Sequence, residues 1–185
     1  MGYTTEFDGS VAVTPPLNPS EIDYLTRFAD SRRFTRVAGP YALEELSSRG
    51  PDVVDYNRPP GGQPSLWCNW APTADGAAIK WNETEKFRDA EIWMQFLIDV
   101  FLRPGASLQA ELADPVPGRV YDDAFAAFTF DHVVNGTIDA QGDDPEDTWR
   151  LVVADNTVSK VTPQVAWSED ADWPPAPGTR RRRRG

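Results

Sequence analysis

The single histidine, His132, is the only side chain that could serve as the base of a Ser-His-Asp or Cys-His arrangement. It follows Asp131 on a stretch that reads as strand, where neighbours point to opposite faces, so direct pairing of the two is not expected. An ordinary edge or loop histidine is the simpler reading. Cys68, the only cysteine, alternates with Leu66 and Trp70 and reads as a core thiol, because free cysteine is among the most buried residue types. The loop Gly142-Asp143-Asp144-Pro145-Glu146-Asp147 gathers carboxylates that could ligate Ca²⁺ or Mg²⁺, but it lacks EF-hand spacing, and Pro145 suits a solvated turn. Glu83, Glu85, Asp89 and Glu91 could do acid/base work, yet negative charge at a helix start is what the macrodipole favours anyway. There is no phosphate-binding loop, and these patterns assign no catalytic residue, metal ligand or cofactor.

The stretch from Asp55 to Trp70 has a different composition. Tyr56, Arg58, Gln63, Trp67, Asn69 and Trp70 combine flat aromatic rings with hydrogen-bonding groups, as binding surfaces do. The competing reading is that Trp67 and Trp70 pack against the following helix while the prolines cover a sheet edge. The expectation is a non-enzymatic interaction or ligand-binding domain, for an unknown protein or small ligand, using this strap and the exposed parts of Trp67, Trp70 and Trp81. One alternative is a metal-assisted hydrolase, in which Asp143, Asp144, Glu146 or Asp147 converges with Asp122, Asp123 or His132. Another is a subunit of a larger assembly, with an exposed apolar face. The run Arg180 to Arg184 could touch nucleic acid or an acidic partner, although such a terminal run is most often a solvated tail.

The elements that must position these groups begin with an alternating stretch at residues 3–13, the period of a half-buried strand, stopped by Pro15-Pro16. Asn18-Pro19-Ser20-Glu21 is a capping box opening a helix with Ile22, Leu25, Phe28 and Ala29 on one face. Residues 41–46 suggest a short helical turn, and 57–64 a Pro/Gly surface loop or strap. Leu66 to Trp70 and Ala78 to Trp81 read as a hairpin across Asp75-Gly76. Asn82-Glu83-Thr84-Glu85 repeats the cap pattern and predicts a long helix to Arg103. Its core face is Phe87, Ala90, Met94, Leu97, Ile98 and Phe101, and Trp93, Phe96, Val100 and Leu102 widen the apolar arc, so sheet and loops must cover it. A short strand is expected at 107–112 and strand structure at 128–141, with Asn135-Gly136 locally a hairpin signal. Strands at 149–153 and 158–165 then complete a meander. The fold class is α+β, an antiparallel or mixed sheet of about five to seven strands packed against two main helices.

At 185 residues the chain suits one domain, expected over 1–167, with an acidic, proline-rich and then poly-arginine tail at 168–185 expected to be disordered. Net charge is −11, but with Arg180 to Arg184 set aside residues 1–179 carry −16. Such an acidic body disfavours nonspecific nucleic-acid or anionic-membrane binding. A lone cysteine excludes an intrachain disulfide, making a reducing, cytoplasmic setting the default. The first residues, MGYTTEFDGS, do not read as a signal peptide, and no stretch approaches the ~20 apolar residues of a membrane span.

The segments MGYTT, VVDYNRPPGGQPSLWCNWAPTADGAAIKW, EKF within the predicted helix, and VVNGTIDAQGDDPEDTWRLVVADNTV resemble a family of uncharacterised proteins encoded by bacteria, notably actinobacteria, and by phages. The resemblance covers most of residues 1–160 and implies the order strand, helix, hairpin, helix, C-terminal strands, with no activity attached. It also implies a shortening before Val53 and a lengthening around 114–128. The counterpart of VVNGTIDAQG in that family resembles one continuous strand, which favours a bulged strand over a hairpin at Asn135-Gly136.

Overall fold

The computed structural model describes residues 3–43 and 50–164. The turn expected at 41–46 lies partly, and the tail at 168–185 wholly, outside them. The alternation near the N-terminus forms β1 (Thr5–Thr14), with Phe7, Val11 and Val13 buried and Glu6, Asp8 and Ser10 exposed. α1 (Pro19–Asp30) starts on the expected capping box: the Asn18 side chain accepts from the Ser20 and Glu21 amides, and Glu21 Oε2 accepts from the Asn18 amide at 2.8 Å. Leu25, Phe28 and Ala29 are buried as the spacing requires, but so are Tyr24 and Glu21. β2 (Thr35–Arg36) and β3 (Val53–Asp55) then make a two-stranded ribbon.

β4 (Trp70–Pro72) and β5 (Ala78–Trp81) form the predicted hairpin, with Trp70 opposite Trp81. The first strand begins at Trp70 rather than Leu66, since the Leu66 carbonyl is taken by the Arg33 amide at 2.7 Å and the chain there is bound to the end of α1. The long helix also starts later than its cap signal suggests. α2 (Ala90–Leu97) is preceded by a loop in which Glu83, Lys86 and Asp89 have positive φ. Asn82 closes a local turn by accepting from the Thr84 amide, and the Asn69 and Trp81 side chains both donate to the Thr84 carbonyl, so the first-turn bonds go elsewhere. α2 continues as a π-helical turn, Ile98–Leu102, in which the Arg103 amide reaches back to Ile98. The wider turn lets Ile98, Val100, Phe101 and Leu102 all be buried, which meets the expectation that this helix is covered on most sides.

The segment predicted as strand at 107–112 is instead α3 (Ser107–Ala113). Its alternation of Leu108, Ala110 and Leu112 fits period two, but Leu108 and Leu112 are also four apart, and Leu, Gln, Ala and Glu are strong helix formers with no β-branched residue among them. A 3₁₀ turn follows at Asp123–Ala127. β6 (Val133–Gly142) runs unbroken through Asn135-Gly136 and pairs one-to-one with β1 from Thr14↔Val133 to Thr5↔Gly142. There is neither a hairpin nor a register shift there. Gly136, at φ 147°, lies so near β1 that a Cβ would sit 2.9 Å from the Val11 Cα, so glycine is required for the close approach. β7 (Thr148–Ala154) and β8 (Thr157–Val161) complete the meander across the left-handed pair Asp155-Asn156.

The fold is α+β: an antiparallel sheet in the order β4-β5-β1-β6-β7-β8, the small ribbon, α1, and a long bent helix. The helices cover one face of the large sheet. At its core Phe7 meets the rings of Trp70, Trp81, Phe87 and Trp149 edge-on, with centroids 5.2 to 5.7 Å apart. No helix among the described residues is long and apolar enough to cross a membrane.

Candidate functional site

The other face of the sheet carries the alternate residues of the same strands. β1 supplies Glu6 and Asp8, β6 supplies Asp139 and Gln141, and β7 supplies Arg150; their register sets Glu6 opposite Gln141, and Asp8 opposite Asp139 and so Arg150. At the end where β1 has run beyond its pairing with β5, a groove of about 590 Å³ opens among these side chains, with Trp81 on its wall and Val161, Thr162 and Pro163 beside it. The rings of Phe7 and Trp149 are turned to the helix face. Arg150 grips Asp139 with two hydrogen bonds, at 2.6 and 3.1 Å, which hold that carboxyl below the usual carboxylate range. Glu6 and Asp8 form no side-chain hydrogen bond or ion pair with any described residue. The groove therefore offers two carboxylates, unpartnered among the described residues and two apart on one strand face, and an aliphatic rim, with Trp81 at its edge and its ring against Phe7 on the helix side.

The strap divides between the two readings its sequence allowed. Gln63, Asn69 and Trp70 are buried, Trp70 with 1% exposure. The Trp70 indole donates to the Ala90 carbonyl at 2.7 Å, so this side chain starts α2 rather than facing a ligand. Gln63 accepts from Arg33 Nε and donates to the Pro40 carbonyl, anchoring the strap. Asn69 donates to Thr84, and its Oδ1 is buried without a partner among the described residues. Tyr56, half-buried, lies beneath the Arg32 guanidinium at 4.4 Å, Arg58 is exposed, and Trp67 keeps 39% of its surface. The six residues thus split into three anchors and three surface groups, and none of them lines the groove. Trp81, read from the sequence as part of the strap's surface, lies in the groove instead.

Arg33 organises the underside of the strap. Its guanidinium is buried over the Phe28 ring and bonded to Gln63, Ser31, Pro40 and Ala42, all neutral acceptors, and burial brings its pKa down to about 10. Cys68 is wholly buried, and burial pushes its thiol up to about 12.

His132 lies in the irregular segment just before β6, but it is buried rather than at an exposed edge. Its exposure is 1%, and it is held against the equally buried Glu21. The acidic loop is stapled to the N-terminal strand, with Asp143 accepting from the Thr4 amide at 2.7 Å and Asp147 from the Tyr3 hydroxyl. Asp122 pairs with Arg27. β6 separates His132 from Asp143 by its full length, roughly 30 Å at strand rise, so the carboxylates of a hydrolase do not converge with the histidine. Among the described residues no group of three or more His, Cys, Asp or Glu is placed to hold a metal ion. Glu83, Glu85 and Asp89 are exposed in or beside the loop before α2.

Alternation alone predicts that Glu6 and Asp8 share a solvent face. Their juxtaposition with Asp139 and Arg150 depends on β1 pairing with β6, which no local pattern encodes. No family model matches the chain, and no curated protein and no solved structure matches it.

Proposed function

We propose that this chain is a non-enzymatic binding domain that takes its ligand in the groove on the open face of the sheet. The observation that carries this reading is the pair of carboxylates, Glu6 and Asp8, unpartnered among the described residues, in a groove of about 590 Å³ with Trp81 at its edge. The ligand that fits is cationic and partly apolar: an extended segment of a partner presenting arginine or lysine next to an aliphatic side chain. Its cation would meet the carboxylates, and its apolar neighbour the rim of Val161 and Pro163, beside the edge of Trp81. Titration with a blocked Arg-Leu-Arg peptide, followed by tryptophan fluorescence and calorimetry, tests it. Binding is expected, with the citrulline analogue and the Glu6→Gln/Asp8→Asn double variant each weaker by roughly tenfold or more. Equal binding by the charged and citrulline peptides would refute it.

The strap supports a second reading through Trp67 alone, since its side chain is exposed and the exposed Arg58 lies on the same strap. If Trp67→Ala, rather than the groove variant, removes partner capture, recognition belongs to the strap. The bacterial or phage setting, a cytoplasmic location and membership of a larger assembly rest on the sequence motifs and the lone cysteine, and stand as part of the proposal.

A further inference from the structure

His132 lies where three parts of the chain meet: the corner between β1 and α1, the first turn of α1, and the segment entering β6. Its Nδ1 is 2.7 Å from the Pro15 carbonyl oxygen, and its Nε2 is 3.1 Å from Glu21 Oε1. A carbonyl can only accept, and so can a carboxylate. The Thr129 hydroxyl also lies 3.1 Å from Nε2, but its one proton is directed to Asp131 Oδ1 at 2.6 Å, so Nε2 is left facing acceptors. A neutral imidazole has one N–H to give, so bonds to both Pro15 and Glu21 are made only by the imidazolium. Glu21 is committed in turn, since Oε2 accepts from the Asn18 amide and Oε1 from the Thr129 amide, both at 2.8 Å. The backbone of His132 is held as well, its amide donating to Leu102 and its carbonyl accepting from the Asn156 side chain.

We propose that the buried Glu21–His132 pair is a proton-operated latch: protonated His132 pins the β1–α1 corner and the cap of α1 to the chain entering β6, and loss of its proton to solvent releases that corner. From α1 the ring faces Glu21 alone. From its own segment it faces Asp131, whose Oδ1 is 3.8 Å from Nε2 and accepts from the Thr129 hydroxyl. Its other hydrogen-bonding neighbours, Pro15, Thr129 and Asn156, are neutral. Burial alone would lower the histidine's pKa, but the bonds to Glu21 and Pro15 outweigh it and the net direction is up. Burial would likewise raise Glu21, and the bonds from His132, Thr129 and Asn18 bring it below the usual range.

The signs follow from linkage. The histidine's contribution is complete below its unfolded pKa of about 6.5 and is lost as pH rises to the raised folded value, while that of Glu21 is lost only in acid. Nitrogen-detected NMR on the full chain tests this without ambiguity of assignment, because there is one histidine. The expected result is two ring N–H groups at pH 6 and a titration midpoint above 6.5. Opening measured by amide exchange at Asn18 and Thr129, corrected for intrinsic base catalysis, should rise about tenfold per pH unit between 6.5 and that midpoint, then level off. In Glu21→Gln the midpoint should fall back to 6.5 or below. A single ring N–H at pH 6, a wild-type midpoint at or below about 6.5, or opening that is flat across the range would each overturn the proposal, whether or not the variant folds.

Discussion

At the scale of single residues, the most consequential side chains are polar ones in the core. Arg33 is a buried cation bonded to neutral acceptors, so its solvation is supplied by Gln63 of the strap together with Ser31, Pro40 and Ala42. Gln63→Leu fills similar volume but leaves Arg33 Nε without its acceptor, and the expected cost is roughly 1–3 kcal/mol in urea unfolding, against near neutrality for Arg58→Leu. Gly136→Ala should be at least as damaging, since its φ of 147° and the 2.9 Å approach to Val11 both oppose a methyl group. Cys68 gives a kinetic test: buried, with its thiol pushed up to about 12, it should react with a thiol reagent at neutral pH only as fast as the protein unfolds. Reaction at the rate of a free thiol would show that the strap opens locally.

At the scale of elements, the joint between α2 and the β7–β8 turn is held by side-chain amides. Gln95 donates to the Asn156 carbonyl and accepts from the Val158 amide, while the Asn156 side chain accepts from the Val134 amide and donates to His132. Glycine at 156 would suit the backbone, whose φ is 68°, yet Asn156→Gly should cost about 1–3 kcal/mol because it leaves the Val134 amide and the His132 carbonyl unpaired. The same joint explains what could be read ahead of the structure. The alternation at residues 3–13 and the Asn18 capping box are local signals, and each holds. The cap at Asn82 fails because the side chains of Asn69 and Trp81, brought by the hairpin, capture Thr84; the strand at 107–112 fails because two periods share the same leucines. Asn135-Gly136 is an ideal hairpin pair in isolation, but its glycine admits β1 at close range and its asparagine accepts from the Asp155 amide. The strap's polar composition was legible, whereas its division into anchors and surface groups depends on Arg33, contributed from the end of α1.

At the scale of the molecule, an acidic body of −16 and the open face with Glu6 and Asp8 make self-repulsion a general term. Raising salt from about 0.01 to 0.15 M shortens the screening length from about 30 to 8 Å, so the melting temperature should rise by a few degrees, and binding of the cationic peptide should weaken over the same range. A melting temperature that falls with salt would mean that ion pairs such as Arg27–Asp122 outweigh the repulsion.

The pairing of β1 with β6 joins Thr5 to Gly142, so the centre of the sheet is made from strands far apart in the chain, Thr5–Thr14 and Val133–Gly142. On a ribosome adding about 5–20 residues per second, β1 must wait several seconds for its partner, with the edge that will receive β6 unpaired. Folding should therefore be slow for a domain of this size and governed by this one long-range closure rather than by helix formation. During synthesis, this exposed strand is where chaperone binding or misassociation of nascent chains would be concentrated.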